Sequence, residues 1–148
     1  MVLWIDANII LDVLQNREPY VRESSLIWKL CETGQVKGFI STLTFANLVY
    51  VLRKELTPEI SERIISSLML IFGFADLTRK DLCDAARMKW KDYEDALQVS
   101  SAVRVRADYI ITRNLNDFAD SPIPPLEPAD FLQRYKAIQS GARPGTDL

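Results

Sequence analysis

The sequence predicts an α/β fold, a parallel sheet covered by helices on both faces. Three observations predict it. Short apolar runs alternate with helix-patterned segments along the chain, as strands joined by helical crossovers do. The first run, Val2-Leu3-Trp4-Ile5, is too short for a helix and too apolar for a loop, so it fits a strand buried on both faces. No internal repeat or linker divides the chain, so residues 1–138 are expected to form one domain and residues 139–148 a mobile tail.

The elements follow in order. Asp6 closes the first strand, and Ile9 to Leu14 reads as a short helix. Gln15 to Pro19 is a polar turn, and Pro19 suits the first turn of a helix from Tyr20 to Thr33. Val21, Leu26, Ile27 and Leu30 form its inward stripe, and Gly34 stands where a helix end favours glycine. Gly38-Phe39-Ile40 is a brief strand. Ser41 and Thr42 can cap a helix from Leu43 to Lys54, with Leu48, Val51 and Leu52 on one face. Thr57-Pro58 opens the next helix, whose Ile60, Ile64, Ile65, Leu68 and Ile71 recur at spacings of three and four. Gly73 stops it, and Phe74 to Leu77 is another short strand.

Thr78-Arg79-Lys80-Asp81 has the form of a capping box and opens a helix to about Trp90. Asp92 to Val105 is the following helix, with Ala96, Val99, Ala102 and Val103 inward. Asp108 to Thr112 is a strand rich in β-formers, and Arg113 to Phe118 a polar loop. Pro122 to Leu126 is a proline-dense connector. Pro128 starts a last helix to about Ile138.

Composition narrows the chemistry. The net charge of -2 argues against binding nucleic acid through a broad basic surface, though not against a nucleic-acid substrate held through metal ions. There is no histidine, which removes His-based zinc sites, Ser-His-Asp triads and Cys-His pairs together. Any acid–base or metal chemistry must rest chiefly on carboxylates. Cys31 and Cys83 lie far apart in helical stretches and read as core thiols of a cytoplasmic protein. Neither a signal peptide nor an apolar run near the ~18 residues of a membrane span is visible.

The acids gather in three places. Asp6 ends a buried strand, where open α/β sheets bind ligands, although Asp is also a good helix cap. Asp92, Glu94 and Asp95 crowd the start of one helix, and Asp92 and Asp95 share a side. Capping explains Asp92 alone, but three carboxylates in four residues exceed what capping needs. Thr112-Arg113-Asn114-Leu115-Asn116-Asp117-Phe118 follows a buried strand and reads either as an Asn/Asp turn or as part of a site. Brought together, such carboxylates repel and call for a cation. A hard divalent ion with oxygen ligands is the economical remedy.

WIDANIILDVL, STLTFANLVYVLRK, DYEDALQVSSAV and ADYIITRNLNDF, in that order and spacing, resemble the PIN-domain family of VapC-like type. The resemblance covers roughly Val2 to Leu132. It implies a three-layer α/β/α fold with a parallel sheet of four or five strands. It implies an endoribonuclease dependent on Mg²⁺ or Mn²⁺, and, as in many relatives, a toxin held inactive by a small antitoxin and a homodimer. Asp6, Asp95 and Asp117 match the family acids, and Thr112 and Asn114 the polar residues that orient water or metal. Asn47 stands where a Glu is usual, which removes one charge; Asp92 or Glu94 could compensate.

The expected activity is therefore metal-assisted hydrolysis of RNA, with Asp6, Asp95 and Asp117 as ligands and Asn47, Thr112, Asn114 and Asp92 in support; Arg113, Arg53 and Lys54 could reach substrate phosphates, although solvated surface charge is the readier account of each. The rival expectation is a catalytically weak module that keeps the fold and binds RNA or a protein partner. A receiver-like phosphoacceptor ranks last, because no adjacent acid pair follows the first strand.

Overall fold

The structure is a computed structural model of the 148-residue chain, and it describes residues 1–141. The described residues form a five-stranded parallel sheet in the order β3-β2-β1-β4-β5, with helices packed on both faces. The strands are β1 (Val2–Ile5), β2 (Lys37–Ser41), β3 (Gly73–Ala75), β4 (Tyr109–Ile111) and β5 (Pro125–Leu126). The helices are α1 (Ala7–Leu14), α2 (Val21–Glu32), α3 (Thr42–Glu55), α4 (Pro58–Ile71), α5 (Arg79–Met88), α6 (Tyr93–Arg104) and α7 (Pro128–Gln139). A 3₁₀ turn covers Leu115–Phe118.

The all-apolar reading of the first strand is explained by its place. β1 is central, paired with β2 on one side and β4 on the other, so its residues meet helices above and below. Alternate residues point to opposite faces. Leu3 and Ile5 join Ile40 and Ile111 in a core covered by α1, α2, α3, α4 and α7. Trp4 points the other way, into a core with Val99 and Ala102 of α6, Ile110, Phe118 and Ile123. The Trp4 indole N–H also donates to the Gln98 side chain at 3.2 Å, which ties β1 to α6.

Several starts are set by local chemistry. Ser41 caps α3 through the Thr44 N–H at 2.9 Å. Thr57 caps α4 ahead of Pro58. Thr78 and Asp81 form a complete capping box at α5. Gly34 follows α2 with φ of 74°. This is the left-handed conformation that glycine takes at least cost.

Four expectations need correction. Leu26, Ile60 and Val103 lie at the solvent edge of their apolar stripes and are exposed. Cys31 is a core thiol, and burial pushes it up to about 12, but Cys83 is exposed. β3 starts at Gly73 rather than after it and ends at Ala75. The proline-dense connector contains β5, an edge strand where the missing proline N–H costs no ladder bond. The expected tail begins close to the end of α7, and its residues 142–148 lie outside the described residues.

Candidate functional site

The topology supplies a crevice. The chain runs outward from β1 to β2 and β3, then returns to place β4 on the opposite side of β1. Helices on the two sides of such a switch point diverge and leave a cleft at the carboxyl ends of the strands. Asp6 follows β1 and Thr112 follows β4, so the two straddle that cleft. Backbone pairing continues through them, with the Asp6 N–H donating to the Ile111 carbonyl at 3.0 Å.

Asp6 is the most buried of the clustered acids, at 7% exposure. It sits at the N-cap position of α1, yet its side chain makes no capping hydrogen bond. Instead it accepts the Thr112 hydroxyl at 2.8 Å. Burial pushes the Asp6 carboxyl above its ordinary range, against the Thr112 bond, the nearby amides of Asn8 and Ala7, and the charge of Arg113. Thr112 is itself fully buried, and its oxygen also accepts the Asn114 N–H at 3.0 Å. One hydroxyl thus fixes both the first acid and the start of the loop that carries Asp117.

The other acids come from α6 and the 3₁₀ turn. Asp92 is the N-cap of α6 and accepts the Asp95 N–H at 3.1 Å, so the capping account of Asp92 is correct. That same bond aims the first turn of α6 at the cleft. Phe118, almost fully buried, anchors the turn that holds Asp117. The Asp95 carboxyl is raised from the usual 3.8 to about 6, first by burial and then by the charges of Asp92, Asp117, Asp6 and Glu94. Side chains from three separate segments therefore act on one carboxyl. Among the described residues, neither Asp6 nor Asp95 forms an ion pair.

The gathering is open rather than closed. Among the described residues, no three His, Cys, Asp or Glu side chains stand close enough together to grip a metal ion. A groove of about 880 Å³ runs beside the acids, lined in part by Trp90, Lys91, Asp92, Asp95 and Asp117. Asn47 lies on α3 and donates to Glu94 at 3.4 Å, so it faces the start of α6.

The surface-charge account fits Arg53 and Lys54, which are exposed, whereas Arg113 is engaged within the fold. Arg113 does not point into the groove. Its guanidinium forks onto Asp12 at 2.9 and 3.0 Å and stacks on the Tyr20 ring at 3.9 Å. Arg53 lies in a separate groove between α3 and α4, and Lys54 sits over the Tyr50 ring. The cations that do line the acid groove are Lys89 and Lys91. Their signal in the sequence was proximity: both stand just before the acid-rich start of α6. Asp12 was also missed. Its cue was a single acid within the otherwise apolar run from Ile9 to Leu14, which requires a partner.

A PIN-domain family model matches residues 2–116. The chain belongs to the PIN-domain family. Solved structures agree on the fold. VapBC2 from Rickettsia felis, bound to a DNA fragment from its promoter, superposes with a TM-score of 0.62 at 20% identity, covering 86% of this chain and 98% of that one. A toxin–antitoxin complex from Klebsiella pneumoniae gives 0.65 at 21% identity, covering 85% and 97%. VapBC-1 from nontypeable Haemophilus influenzae gives 0.67 at 17% identity, covering 87% and 99%. Among curated proteins, none matches the chain. The PIN fold explains the cleft at the β1–β4 switch point. No helix among the described residues is long and apolar enough to cross a membrane.

Proposed function

We propose that this PIN domain is a divalent-ion-dependent endoribonuclease and the toxin of a VapBC-type pair. One feature supports the reading: the charges of Asp6 and Asp117, from two other segments, act on Asp95, and among the described residues no basic side chain pairs with Asp6 or Asp95. The donor set is all oxygen, which suits Mg²⁺ or Mn²⁺ held by one or two carboxylates with water filling the remaining positions. Asp6, Asp95 and Asp117 would hold it, with Asn47, Thr112, Asn114 and Asp92 in support. When bound, the ion supplies charge neutralisation at the phosphodiester and lowers the pKa of water.

The chain's own residues do the rest. Thr112 holds Asp6 in one rotamer, and the Asp92 cap sets the direction of α6. Lys89 and Lys91 meet substrate phosphates along the groove. The similarity in fold to toxins of toxin–antitoxin complexes supports a small antitoxin as partner, whose Arg or Lys would be drawn to the acid edge. A homodimer acting in the cytoplasm completes the reading. The test is cleavage of single-stranded RNA with Mn²⁺ by the native protein and by Asp6→Asn. Cleavage by the native protein alone is expected, and equal cleavage by both overturns the assignment.

The open acid edge and Asn47 favour a second reading, a PIN-fold module that binds RNA or a partner without cutting. Titration calorimetry separates the two, since the module would not take up Mn²⁺ at millimolar concentration.

A further inference from the structure

Asp12 is the one acid of α1, and it is completely buried. Around its carboxylate stand Arg113, which forks onto it, the Ser24 hydroxyl at 3.0 Å, and Arg17 at 4.0 Å. Two cross-links consequently join the same two segments. Thr112 bonds Asp6, and Arg113, the next residue, bonds Asp12 on the helix that Asp6 begins.

Stability alone does not account for this pair. A buried ion pair gives up hydration on both partners, and an apolar pair of the same shape serves a core as well or better. Its position is the informative feature. Arg113 sits between Thr112 and Asn114, at the lip of the acid cleft, and its charge already reaches Asp6. A guanidinium is a strong, planar partner for carboxylates. Without Asp12, it would be a cation on a long side chain near Asp6, Asp95 and Asp117, which form no ion pair among the described residues.

We propose that Asp12 is a positioning residue that holds Arg113 out of the acid cleft, so that the chain's own cation does not occupy the place of a divalent ion. The proposal rests on the nuclease reading for its meaning, but Arg113 can be located without any metal. The fork fixes the direction of Arg113, Tyr20 covers one side of it, and the backbone on either side keeps Thr112 on Asp6 and starts the Asp117 loop in register. The competing destination for a released Arg113 is the neighbouring pocket of about 270 Å³, where Glu23 and Glu127 also lie.

The experiment uses Asp12→Asn, Arg113→Gln and the double variant, each first checked for cooperative thermal unfolding. The metal-free crystal structure of Asp12→Asn is expected to show the guanidinium against Asp6, Asp95 or Asp117. A guanidinium on Glu23 or Glu127, or still on residue 12, overturns the proposal. Calorimetry with Mn²⁺ gives the second readout. Affinity is expected to fall about tenfold in Asp12→Asn and to return to within about threefold of native in the double variant. A double variant that binds no better than Asp12→Asn marks a merely structural role and overturns it as well. Should Asp12→Asn fail to fold, the folded double variant decides. With no competing cation it must bind Mn²⁺ within that threefold range, and weaker binding overturns the proposal. A native protein that binds no Mn²⁺ and cuts no RNA refutes the nuclease reading instead, and the position of Arg113 still decides this one.

Discussion

Replacing Asp95 with Asn tests the electrostatics of the cleft directly. The Asp95 carboxyl titrates at about 6 rather than 3.8, because burial and four neighbouring carboxylates disfavour its charge. A folded-state pKa raised above the unfolded one contributes stability that is complete below about pH 4 and is lost as pH rises through 6. At pH 8 the native fold therefore carries a penalty that asparagine does not. Each pH unit of displacement is worth about 1.4 kcal/mol, which sets an upper limit near 3 kcal/mol. The side chain is partly open to solvent, and its charge also favours the α6 N-terminus, so about 1 kcal/mol is expected to remain. For a chain of this size that corresponds to a rise of roughly 3 °C in Tm. Thermal unfolding of both proteins at pH 4 and pH 8 in metal-free buffer is the assay. Millimolar Mn²⁺ at pH 8 should then raise the native Tm and leave the variant nearly unmoved. A variant less stable than native at pH 8, or a difference independent of pH, refutes the reasoning.

Three other outcomes follow from the same geometry. Asp81 lies below its usual range: burial pushes it up, but the Arg104 hydrogen bonds, the Thr78 backbone and hydroxyl bonds and the Arg104 charge outweigh that. Its stabilisation is therefore complete above about pH 4 and lost as pH falls through its folded value. Asp81→Asn should cost roughly 1–3 kcal/mol in urea unfolding at pH 7, and the gap should narrow at pH 3. Gly38→Ala places a methyl 2.7 Å from the Cys31 sulfur and 3.1 Å from the Phe72 ring, and should destabilise by about 1–3 kcal/mol in the same assay. Thr112→Val keeps the shape but strips Asp6 and the Asn114 amide of their shared partner. It should lower RNA cleavage at least tenfold while shifting Tm by only a few degrees, and unchanged cleavage would contradict the role assigned to that hydroxyl.

What could be read in the sequence was whatever is local or periodic. Val2 to Ile5 announced a central strand because burial on both faces demands an unbroken apolar run. Thr78 and Asp81 announced a helix start because both halves of a capping box lie within four residues. Asp6, Asp95 and Asp117 were legible as strand-end and helix-start acids, and family resemblance joined them. The faces of helices were less secure. Periodicity finds the apolar stripe through Ile27 or Val99 but not its edges, so Leu26 and Val103 were placed inside when solvent reaches them. β5 escaped because two residues among prolines carry no period at all; only its pairing with β4 defines it. The Asp12–Arg113 pair joins residues 101 apart, and no local pattern encodes that distance.

The acids of this chain divide into two physical kinds, and the division argues for function more strongly than their number. Asp12, wholly buried, has a forked arginine, a second arginine and a hydroxyl. Asp81, almost as buried, has Arg104 and a threonine cap. Where a carboxylate serves the fold, a cation has been placed against it. At the β1–β4 cleft the rule is broken: among the described residues, neither Asp6, bonded by the Thr112 hydroxyl, nor Asp95, surrounded by four other carboxylates, forms an ion pair. The means of pairing were available, since Arg113 stands one residue from Thr112 and is directed to Asp12 instead. An arrangement that stabilised the folded chain alone would not leave the Asp6 and Asp95 carboxyls both raised. On the proposed nuclease reading, that edge is where a divalent ion or a partner's basic side chain would supply positive charge.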